Sequence, residues 1–371
     1  MPERMVFLWD NFGPMHADRC EAVARADPTA QVTGLELNEK SNVYDWAPET
    51  GATFEKITLF KHGKRPSSLA MLRALIAFRA IHGRAKWFLC HYDKSAILAF
   101  AIYLRLRGDK VFVMGCSKFD DHPRKTWREW LKSFYLLPYQ GAIGSGERSR
   151  AYFQFLGLPA SKIHGEYNTV SLRRIQNLAG GDPAPKGIPF DARDFIIIAR
   201  LQPKKNLSVA LEAFALYAQT AQTPRKLHIC GSGPLEDELR AQVQSLGLSQ
   251  SILFHGFLQT EEIAKRLAKS LVLLLPSTEE QFGNVVIEAQ AMGVPVILSK
   301  ACGAADILIQ NGLNGFNIDP KSPRALCNFM AQLSENKSLW EEMAKASQQR
   351  APLNDVSAFA SAVNKLAGSK R

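Results

Sequence analysis

The sequence predicts an α/β protein built from two tandem Rossmann-like domains, each a doubly wound parallel sheet covered by helices. Short apolar segments alternate with longer amphipathic segments in the first half, and the same alternation starts again at residue 194. Between the two series lies NLAGGDPAPKGIPFDAR (177–193), which is rich in Gly and Pro and lacks helical or strand periodicity. The length of 371 residues is sufficient for two domains with separate cores.

The first half alternates strands and helices in the order that a parallel sheet requires. The segments RMVFLWD (4–10), KWFLCHY (86–92) and KVFVMG (110–115) are short and apolar, which is typical of buried strands. The segments HADRCEAVARA (16–26) and KSAILAFAIYLRLRG (94–108) have the length of helices. Each predicted helix therefore follows a predicted strand.

The second half repeats this alternation. Strands are predicted at 194–200, 226–231, 251–256, 271–276 and 294–299, helices at 206–219 and 234–247, and a mostly helical tail from residue 322. We therefore predict a first domain at 1–180, a linker at 181–193, a second domain at 194–345, and a C-terminal helix at 346–371 that packs back on the first domain. Because such sheets bind ligands beyond the carboxyl ends of their strands, we expect the site in the cleft between two facing domains.

The positive charge of the chain is concentrated in its first half. Residues 1–187 contain 27 Lys and Arg against 18 Asp and Glu, whereas residues 188–371 contain 19 against 17. This asymmetry predicts an anionic partner, such as a phosphorylated lipid, an acidic membrane surface or nucleic acid; an ordinary basic surface is the alternative. Because no RNA- or DNA-binding motif is present, we do not expect a nucleic-acid partner.

The segment RKTWREWLKSFYLL (124–137) mixes four aromatic residues with basic ones. One interpretation is an amphipathic helix that rests on an anionic membrane. The other is an ordinary helix packed on the sheet. The first interpretation predicts peripheral association through the first domain.

Hydropathy and cysteine usage indicate a cytoplasmic protein, with peripheral association at the inner face of the membrane as the finer expectation. The longest apolar run, AILAFAIYL (96–104), is shorter than the roughly 18 residues of a spanning helix. The first residues lack the long apolar segment of a signal peptide. The six cysteines form no C-x-x-C pair and lack metal-ligand spacing, so we expect reduced thiols.

Cationic residues follow the first predicted strand of the second domain. In ARLQPKKNL (199–207), Arg200 ends the strand, and Lys204 and Lys205 precede a predicted helix start at Asn206. Cations and the free N–H groups of a helix start together favour an anion. The alternative is a solvated loop without a ligand.

Glycines follow the next strand, in CGSGPLEDEL (230–239). Gly231 and Gly233 allow close approach of a backbone to a ligand, and Pro234 is predicted to open a helix. The segment lacks the third glycine of a dinucleotide fingerprint and the Lys-Ser/Thr of a P-loop. A plain tight turn is the alternative interpretation.

Two glutamates frame EQFGNVVIEAQAMGVPVI (280–297). Glu280 lies in a loop after a strand, a helix starts near Asn284, and Glu288 lies in its first turns. Because a carboxylate on a largely buried helix is costly unless it is hydrogen-bonded, a diol at the strand-end cleft is a plausible partner. Alternatively, Glu288 pairs with a core Arg or Lys and Glu280 caps the helix.

These motifs as a set resemble the retaining glycosyltransferases of family four, also called group one, which have the two-Rossmann GT-B fold. The resemblance covers roughly residues 194–320 and rests on ARLQPKKN, HICGSGPLEDEL, ILFHGFL, LLPSTEEQFGNVVIEAQAMGVPVI and GLNGF. The spacing of Glu280 and Glu288 matches the Glu-x7-Glu signature of this family. The chain has no Asp-x-Asp motif, so the resemblance implies that no metal and no cofactor are needed.

The resemblance implies a role for each matched residue. Arg200 and Lys205 would hold the diphosphate of a nucleotide-sugar donor and stabilise the leaving group. Glu280 would bind the donor sugar, and Glu288 the ribose hydroxyls. Phe282, Gly283 and Asn284 would meet the sugar and phosphates through backbone N–H groups at the helix start. Gly256 and Phe257 lie where the family contacts the base. The remaining residues of the donor-binding set are Gly231, Gly233 and Val285.

The first half resembles the family more loosely. Gly13, in NFGPMH (11–16), stands where the family has a glycine-rich loop, although the second glycine is replaced by proline. His91 corresponds to an active-site histidine of many relatives, and a structural histidine is the alternative. His16, Asp120 and Asp121 are expected on the acceptor side.

The resulting expectation is a retaining glycosyltransferase that moves a hexose from a nucleoside-diphosphate sugar to a hydroxyl of a glycan or lipid-linked acceptor. Polysaccharide, lipopolysaccharide or glycolipid assembly is the expected context. Three alternatives stay open: a nucleotide-sugar epimerase or phosphorylase on the same fold, a non-catalytic partner that retains the pocket, and a nucleic-acid binder.

Overall fold

A computed structural model describes residues 3–39, 53–61, 65–121 and 124–368. The chain divides into two compact units. The first contains Met1–Val170 and Asn354–Arg371, and the second contains Ser171–Leu353. Each unit has a parallel sheet with helices, as the sequence predicts.

The first unit has a seven-stranded sheet in the order β3-β2-β1-β4-β5-β6-β7, and every strand pair is parallel. The strands are β1 (Arg4–Trp9), β2 (Gln31–Asn38), β3 (Glu55–Phe60), β4 (Lys86–Leu89), β5 (Lys110–Gly115), β6 (Ala142–Gly144) and β7 (Ile163–His164). Its helices are α1 (Pro14–Ala26), α2 (Ser68–His82), α3 (Ser95–Leu106), α4 (Thr126–Leu136), α5 (Gly146–Phe155) and α14 (Val356–Ala367).

Both faces of the first sheet are buried, which explains why the interior strand β1 is apolar from Met5 to Trp9. Phe7 of β1 belongs to one core cluster, whereas Val6 and Leu8 belong to another. Successive side chains of a strand point to opposite faces, so the two clusters lie on opposite sides of the sheet.

The second unit has a six-stranded parallel sheet in the order β10-β9-β8-β11-β12-β13. The strands are β8 (Asp194–Ile198), β9 (Leu227–Cys230), β10 (Ile252–Phe254), β11 (Ser270–Leu275), β12 (Val296–Ser299) and β13 (Gly315–Ile318). The helices are α6 (Leu172–Ala179), α7 (Leu207–Thr220), α8 (Glu236–Ser245), α9 (Thr260–Leu267), α10 (Asn284–Ala291), α11 (Ala305–Leu308), α12 (Pro323–Glu335) and α13 (Lys337–Arg350).

The division between the units differs from the boundaries expected from the sequence. The helix α6 belongs to the second unit, where it packs against α9 and α10. The helix α13 also belongs to this unit, whereas α14 packs against α1 of the first unit. Tertiary packing, which composition does not reveal, decides where each of these helices belongs.

The segment expected to be a linker is built into the second unit. Ala184 is fully buried, its N–H donates to the carbonyl of Met292, and its carbonyl accepts from Gln348. The buried guanidinium of Arg193 donates to the carbonyls of Ala268 and Ser270. The Gly- and Pro-rich composition therefore predicted irregular backbone correctly. The prediction that this segment is a linker was wrong, because the segment packs into the second unit.

Several element ends also differ from the expectation. The strand expected at 86–92 ends at Leu89, so His91 lies in a turn. The helix expected to open at Pro234 begins at Glu236. In the described ranges, no helix is long and apolar enough to span a lipid bilayer.

Candidate active site

An ion pair joins two of the predicted site residues. The Nζ atom of Lys205 is hydrogen-bonded to Oε2 of Glu280, and the two side chains are 12% and 17% exposed. Lys205 ends the short 3-10 helix Pro203–Lys205 that follows β8, and Glu280 follows β11. Since β8 and β11 are adjacent parallel strands, their carboxyl ends bring both loops to one edge of the sheet.

Backbone contacts hold these two loops together. The N–H of Thr278 donates to the carbonyl of Lys204 at 2.9 Å. The Nδ2 group of Asn206 donates to the carbonyls of Pro276 and Pro320 at 3.0 and 2.7 Å. Asn206 has φ of 57°, a left-handed conformation that asparagine tolerates better than most residues. Asn206 was predicted only as a helix start, although an asparagine at a turn is itself a signal for this conformation.

The glycine turn of the predicted site packs against the segment that carries Arg200. A Cβ on Gly231 would lie 1.9 Å from the carbonyl oxygen of Ala199, and one on Gly233 would lie 2.5 Å from that of Leu201. The N–H of Gly231 donates to the carbonyl of Gly256 at 2.7 Å. These glycines therefore permit close packing of the protein's own backbone. Close approach to a ligand stays a prediction.

The segment after Glu280 turns sharply into α10. Gly283 has φ of 102° and precedes the first helical residue, Asn284. Phe282 is buried and its carbonyl accepts from the N–H of Ala304, so its side chain belongs to the core. Its expected contact with a donor through the backbone stays a prediction.

Glu288 lies in the second turn of α10, four residues after Asn284. Residues four apart lie on the same face of a helix, so Glu288 and the start of α10 share one side. The side chains of Asn284, Val285 and Glu288 are half-buried. The N-terminal end of such a helix favours an anion, and Glu288 offers a hydrogen-bond acceptor further along the same face. Phe257 is exposed after β10.

In the first unit, backbone N–H groups of the loop between β1 and α1 donate hydrogen bonds to side chains of the protein itself. The N–H of Gly13 donates to Nδ1 of His16 at 2.9 Å. The N–H of Phe12 donates to Glu36, a buried carboxylate that also accepts from Thr58 and pairs with Lys56. Glu36 was not among the predicted site residues because β2 was not predicted as a strand. The single carboxylate inside the apolar VTGLEL was the available signal.

His16 is held as a neutral imidazole. Burial lowers its pKa well below the usual value, and the charges of Arg19 and His91 act in the same direction. Because its Nδ1 accepts from Gly13, the proton of the neutral ring lies on Nε2. The ring packs against Trp9 with centroids 4.6 Å apart.

His91 lies in the turn after β4 with φ of 60°, an uncommon conformation for a residue other than glycine. Burial lowers its pKa, the charge of Lys94 adds to this effect, and Asp10 opposes it. Lys94 pairs with Asp10 at 3.2 Å. Because β1 and β4 are neighbours in the sheet, His91 and His16 both follow carboxyl ends at the same edge.

The two predicted aspartates after β5 have different environments. Asp120 is largely exposed and pairs with Lys118 at 3.1 Å and Arg148 at 2.9 Å. Partial burial raises its pKa, but the two cationic partners lower it, and the net shift of the pKa is downward. Asp121 is buried, and its Oδ2 accepts from the N–H of Lys118 at 2.9 Å, while among the described residues its Oδ1 has no hydrogen-bond partner. Burial raises the pKa of Asp121. The pKa values of the two aspartates are therefore shifted in opposite directions, down for Asp120 and up for Asp121.

In the part of the chain that the structure describes, no group of three or more His, Cys, Asp and Glu side chains is arranged to hold a metal ion.

The family comparison agrees with the motifs. Residues 182–350 match the family model described as "Glycosyl transferases group 1". A "D-inositol 3-phosphate glycosyltransferase" of Streptomyces griseus subsp. griseus is 30% identical over 173 residues, which are 44% of this chain and 36% of that protein. The "Putative colanic acid biosynthesis glycosyltransferase WcaL" of Escherichia coli (strain K12) is 25% identical, over 76% of this chain and 70% of its own length. The chain thus spans about a third of the length of the first of these relatives.

Solved structures show the same fold over nearly the whole chain. A sucrose-phosphate synthase from Thermosynechococcus elongatus aligns with a TM-score of 0.75 at 19% identity, covering 99% of this chain and 98% of the other. The Anabaena protein Alr3699/HepE in complex with UDP aligns with a TM-score of 0.73 at 20% identity, covering 99% and 100%. These comparisons confirm the predicted GT-B fold of two Rossmann-like domains.

Proposed function

We propose that the chain transfers a sugar from a nucleoside-diphosphate sugar to a hydroxyl of a glycan or lipid-linked acceptor. The premise is that the chain belongs, through its residues 182–350, to the group 1 glycosyltransferases. The observation that carries the proposal is the pair of Lys205 and Glu280 at the carboxyl ends of β8 and β11, beside the start of α10. A cation, a carboxylate and a helix N-terminus there suit a diphosphate attached to a sugar.

The proposed roles divide between the two charged residues of the pair. Lys205 and Arg200 hold the diphosphate and stabilise the negative charge that develops as the glycosidic bond breaks. Glu280 accepts hydrogen bonds from the donor sugar, and its pairing with Lys205 orients the carboxylate. Glu288, on the same face of α10 as the helix start, binds the ribose diol.

We propose a same-face displacement with retention at the anomeric carbon. The bond between the anomeric carbon and the diphosphate oxygen breaks, the acceptor oxygen bonds to that carbon, and the acceptor proton passes to the leaving phosphate. The cations at Arg200 and Lys205 supply the electrostatic stabilisation for the leaving group, so the proposal needs no divalent metal. His91 of the first unit acts at the reacting centre. Asp120, Asp121 and His16, also of the first unit, act on the acceptor side.

The context of glycan assembly is supported by similarity. The relative WcaL is named for colanic acid biosynthesis, and a neighbour in fold is titled a lipopolysaccharide outer core galactosyltransferase. The Alr3699/HepE structures contain UDP and UDP-glucose. We therefore propose a uridine nucleotide as the first donor class to test, with cytoplasmic transfer to a growing glycan or lipid-linked acceptor at the inner membrane face.

The first test measures thermal stability against UDP, GDP, ADP and dTDP, each with and without EDTA. A ligand that binds only the folded state raises Tm according to its occupancy. We expect one nucleotide to raise Tm with no effect of EDTA, and the Lys205→Met variant to show a smaller shift at the same nucleotide concentration. If no diphosphate raises Tm at saturating concentration, the transferase proposal fails and a non-catalytic role replaces it.

A second assay separates transfer from the other reactions that the fold supports. The matching nucleotide sugar is incubated with the protein, with and without a panel of hydroxyl acceptors, and the products are analysed by mass and by NMR of the anomeric proton. A glycosylated acceptor of unchanged anomeric configuration supports the proposal. Conversion of the sugar nucleotide into an epimer without any acceptor would identify an epimerase instead.

A further inference from the structure

The helix α4 exposes its apolar face to solvent. Five large apolar side chains at positions 127, 130, 131, 134 and 137 are exposed, and this spacing places them along one side of the helix and its end. Trp127 is 59% exposed and Trp130 is 63% exposed. The outward face is defined here as Trp127, Trp130, Leu131, Phe134 and Leu137.

The opposite side of α4 is charged and yet packed inward. Glu129 is buried, accepts a hydrogen bond of 2.5 Å from the hydroxyl of Tyr152, and pairs with Lys132 at 3.0 Å and Arg124 at 3.4 Å. Arg124 also donates to Tyr152 at 2.9 Å. Soluble proteins usually place the charged face of a surface helix outward, so α4 is oriented in the reverse sense. The buried ionic contacts hold the outward face in its exposed position.

Basic residues and further aromatic ones accompany the outward face. Lys125, which directly precedes α4, and Arg128 on the helix are both exposed, and the guanidinium of Arg128 lies 5.2 Å from the ring centroid of Trp127. Phe119 and Phe155, both exposed, pack edge to face at 5.1 Å, and Phe119 also contacts Tyr152. Phe119 therefore connects these two further exposed rings to Tyr152, the residue that also anchors α4.

We propose that the outward face of α4 docks on the surface of an anionic phospholipid bilayer, with the helix lying in the plane of the interface. Two tryptophans, a phenylalanine and two leucines supply the apolar contact, and tryptophan is the residue enriched at the level of lipid headgroups. Lys125 and Arg128 supply attraction to anionic headgroups. Positions 1–187 contain 27 basic and 18 acidic residues, and this surplus of positive charge favours the same partner.

This docking would bring the first unit to the surface where a lipid-linked acceptor resides. Binding to the bilayer does not require sugar transfer. Vesicle binding and sugar transfer are therefore tested independently, and either can fail without the other.

The test is sedimentation of the full chain with vesicles of phosphatidylcholine alone or of phosphatidylcholine mixed with phosphatidylglycerol, at low and high salt. We expect binding to the anionic vesicles that weakens as salt rises. Replacing Trp127, Trp130 and Phe134 by serine should lower the partition coefficient by about tenfold or more. The matched control replaces three exposed apolar residues of other helices or turns, Ile81, Leu246 and Leu353, by serine and should bind as the original chain does.

A second pair of variants tests the charges without touching the apolar residues. Lys125→Gln with Arg128→Gln should weaken binding to anionic vesicles about tenfold. Arg240→Gln with Lys265→Gln, which removes the same charge from exposed residues of the second unit, should leave binding unchanged. These variants decide the question if the serine variant does not fold, as judged by its Tm.

Three results would overturn the proposal. The first is equal sedimentation with and without vesicles; the second is equal binding by the serine variant and its control. The third is a self-associating chain that becomes monomeric in the serine variant and shows no vesicle binding, because a second copy of the chain would then cover the outward face.

Discussion

Lys205 and Glu280, which are 75 residues apart in the sequence, form an ion pair that joins the loops after two adjacent strands of the second sheet. The pair is largely shielded from water. A largely shielded, charge-assisted hydrogen bond is stronger than an exposed one. The neighbouring pair of Lys204 and Glu279 is more exposed, at 3.4 Å. The two pairs therefore offer matched positions for mutation.

Replacing Glu280 by glutamine should keep the fold and lower transfer by at least about tenfold, because a charged acceptor for the donor sugar is lost. Initial rates with the donor identified by thermal shift provide the measurement. Glu279→Gln is the control and should retain transfer close to the original rate. Unchanged transfer together with a lower Tm in the Glu280 variant would assign Glu280 a structural role only.

Replacing Lys205 by methionine should weaken the affinity for the nucleoside diphosphate by about tenfold, since one charge-assisted contact to the diphosphate is removed. Isothermal titration with the diphosphate measures this directly. Lys204→Met removes the same charge one residue earlier and should change the affinity much less. Equal affinities of the Lys205 variant and the original chain would contradict the proposed phosphate site.

Gly231→Ala should destabilise the second unit by about 2–4 kcal/mol, because its φ is 145° and the new Cβ would lie 1.9 Å from the carbonyl oxygen of Ala199. Gly247→Ala is the control: its φ is 70°, and a Cβ there would have no neighbour within 4 Å. Only the backbone cost of about 1 kcal/mol is expected at Gly247. Denaturant unfolding compares the two; similar losses would show that backbone conformation alone matters at Gly231.

His91→Asn should retain most of the stability and lower transfer, because asparagine tolerates the left-handed conformation but cannot replace an imidazole. Tm and initial rates are measured side by side. His164→Asn, at another half-buried histidine of the first unit with a lowered pKa, is the control for loss of an imidazole elsewhere. A large drop in Tm with unchanged specific activity would support the structural interpretation of His91.

A pair of histidines in the second unit predicts a pH dependence of stability. Nε2 of His255 lies 3.2 Å from a guanidinium nitrogen of Arg266 and 2.8 Å from Nδ1 of His228, which contacts Asp194 through its other nitrogen. Burial, followed by the charges of Arg266 and His228, lowers the pKa of His255 to about 4. The free imidazole titrates near 6.5 in an unfolded chain.

Because the folded pKa of His255 is the lower one, the unfolded chain binds more protons between about pH 6.5 and about pH 4. The contribution of this group to stability is therefore complete above about pH 6.5 and is lost as the pH falls toward 4. We expect Tm to decrease over this interval and His255→Gln to make the decrease shallower. A variant with the same slope as the original chain would assign the pH dependence to other groups, such as His16 and His91, whose pKa values are also lowered.

Sequence periodicity was sufficient for the elements with strong patterns. The strand KVFVMG was predicted at the residues that β5 occupies, and the helix expected at 16–26 lies within α1. The strands β2 and β3 were missed, since β2 includes Thr33 and Glu36 among its apolar residues and β3 is only half-buried. Glu36 was missed with them, although it orders the loop that carries Gly13.

The sequence by itself determined the two α/β units, the family, and the set of charged and glycine residues after the strands of the second unit. Local periodicity and motif spacing carry that information because they depend on residues close together in the chain. Only the tertiary structure decided that Lys205 pairs with Glu280, that Ala184 is buried instead of lying in a free linker, and that the aromatic side of α4 faces solvent. These three features depend on which strands become neighbours and on which charged side chains are buried and paired, as Glu129 is. The pattern of a single segment encodes neither the strand neighbours nor the buried pairs.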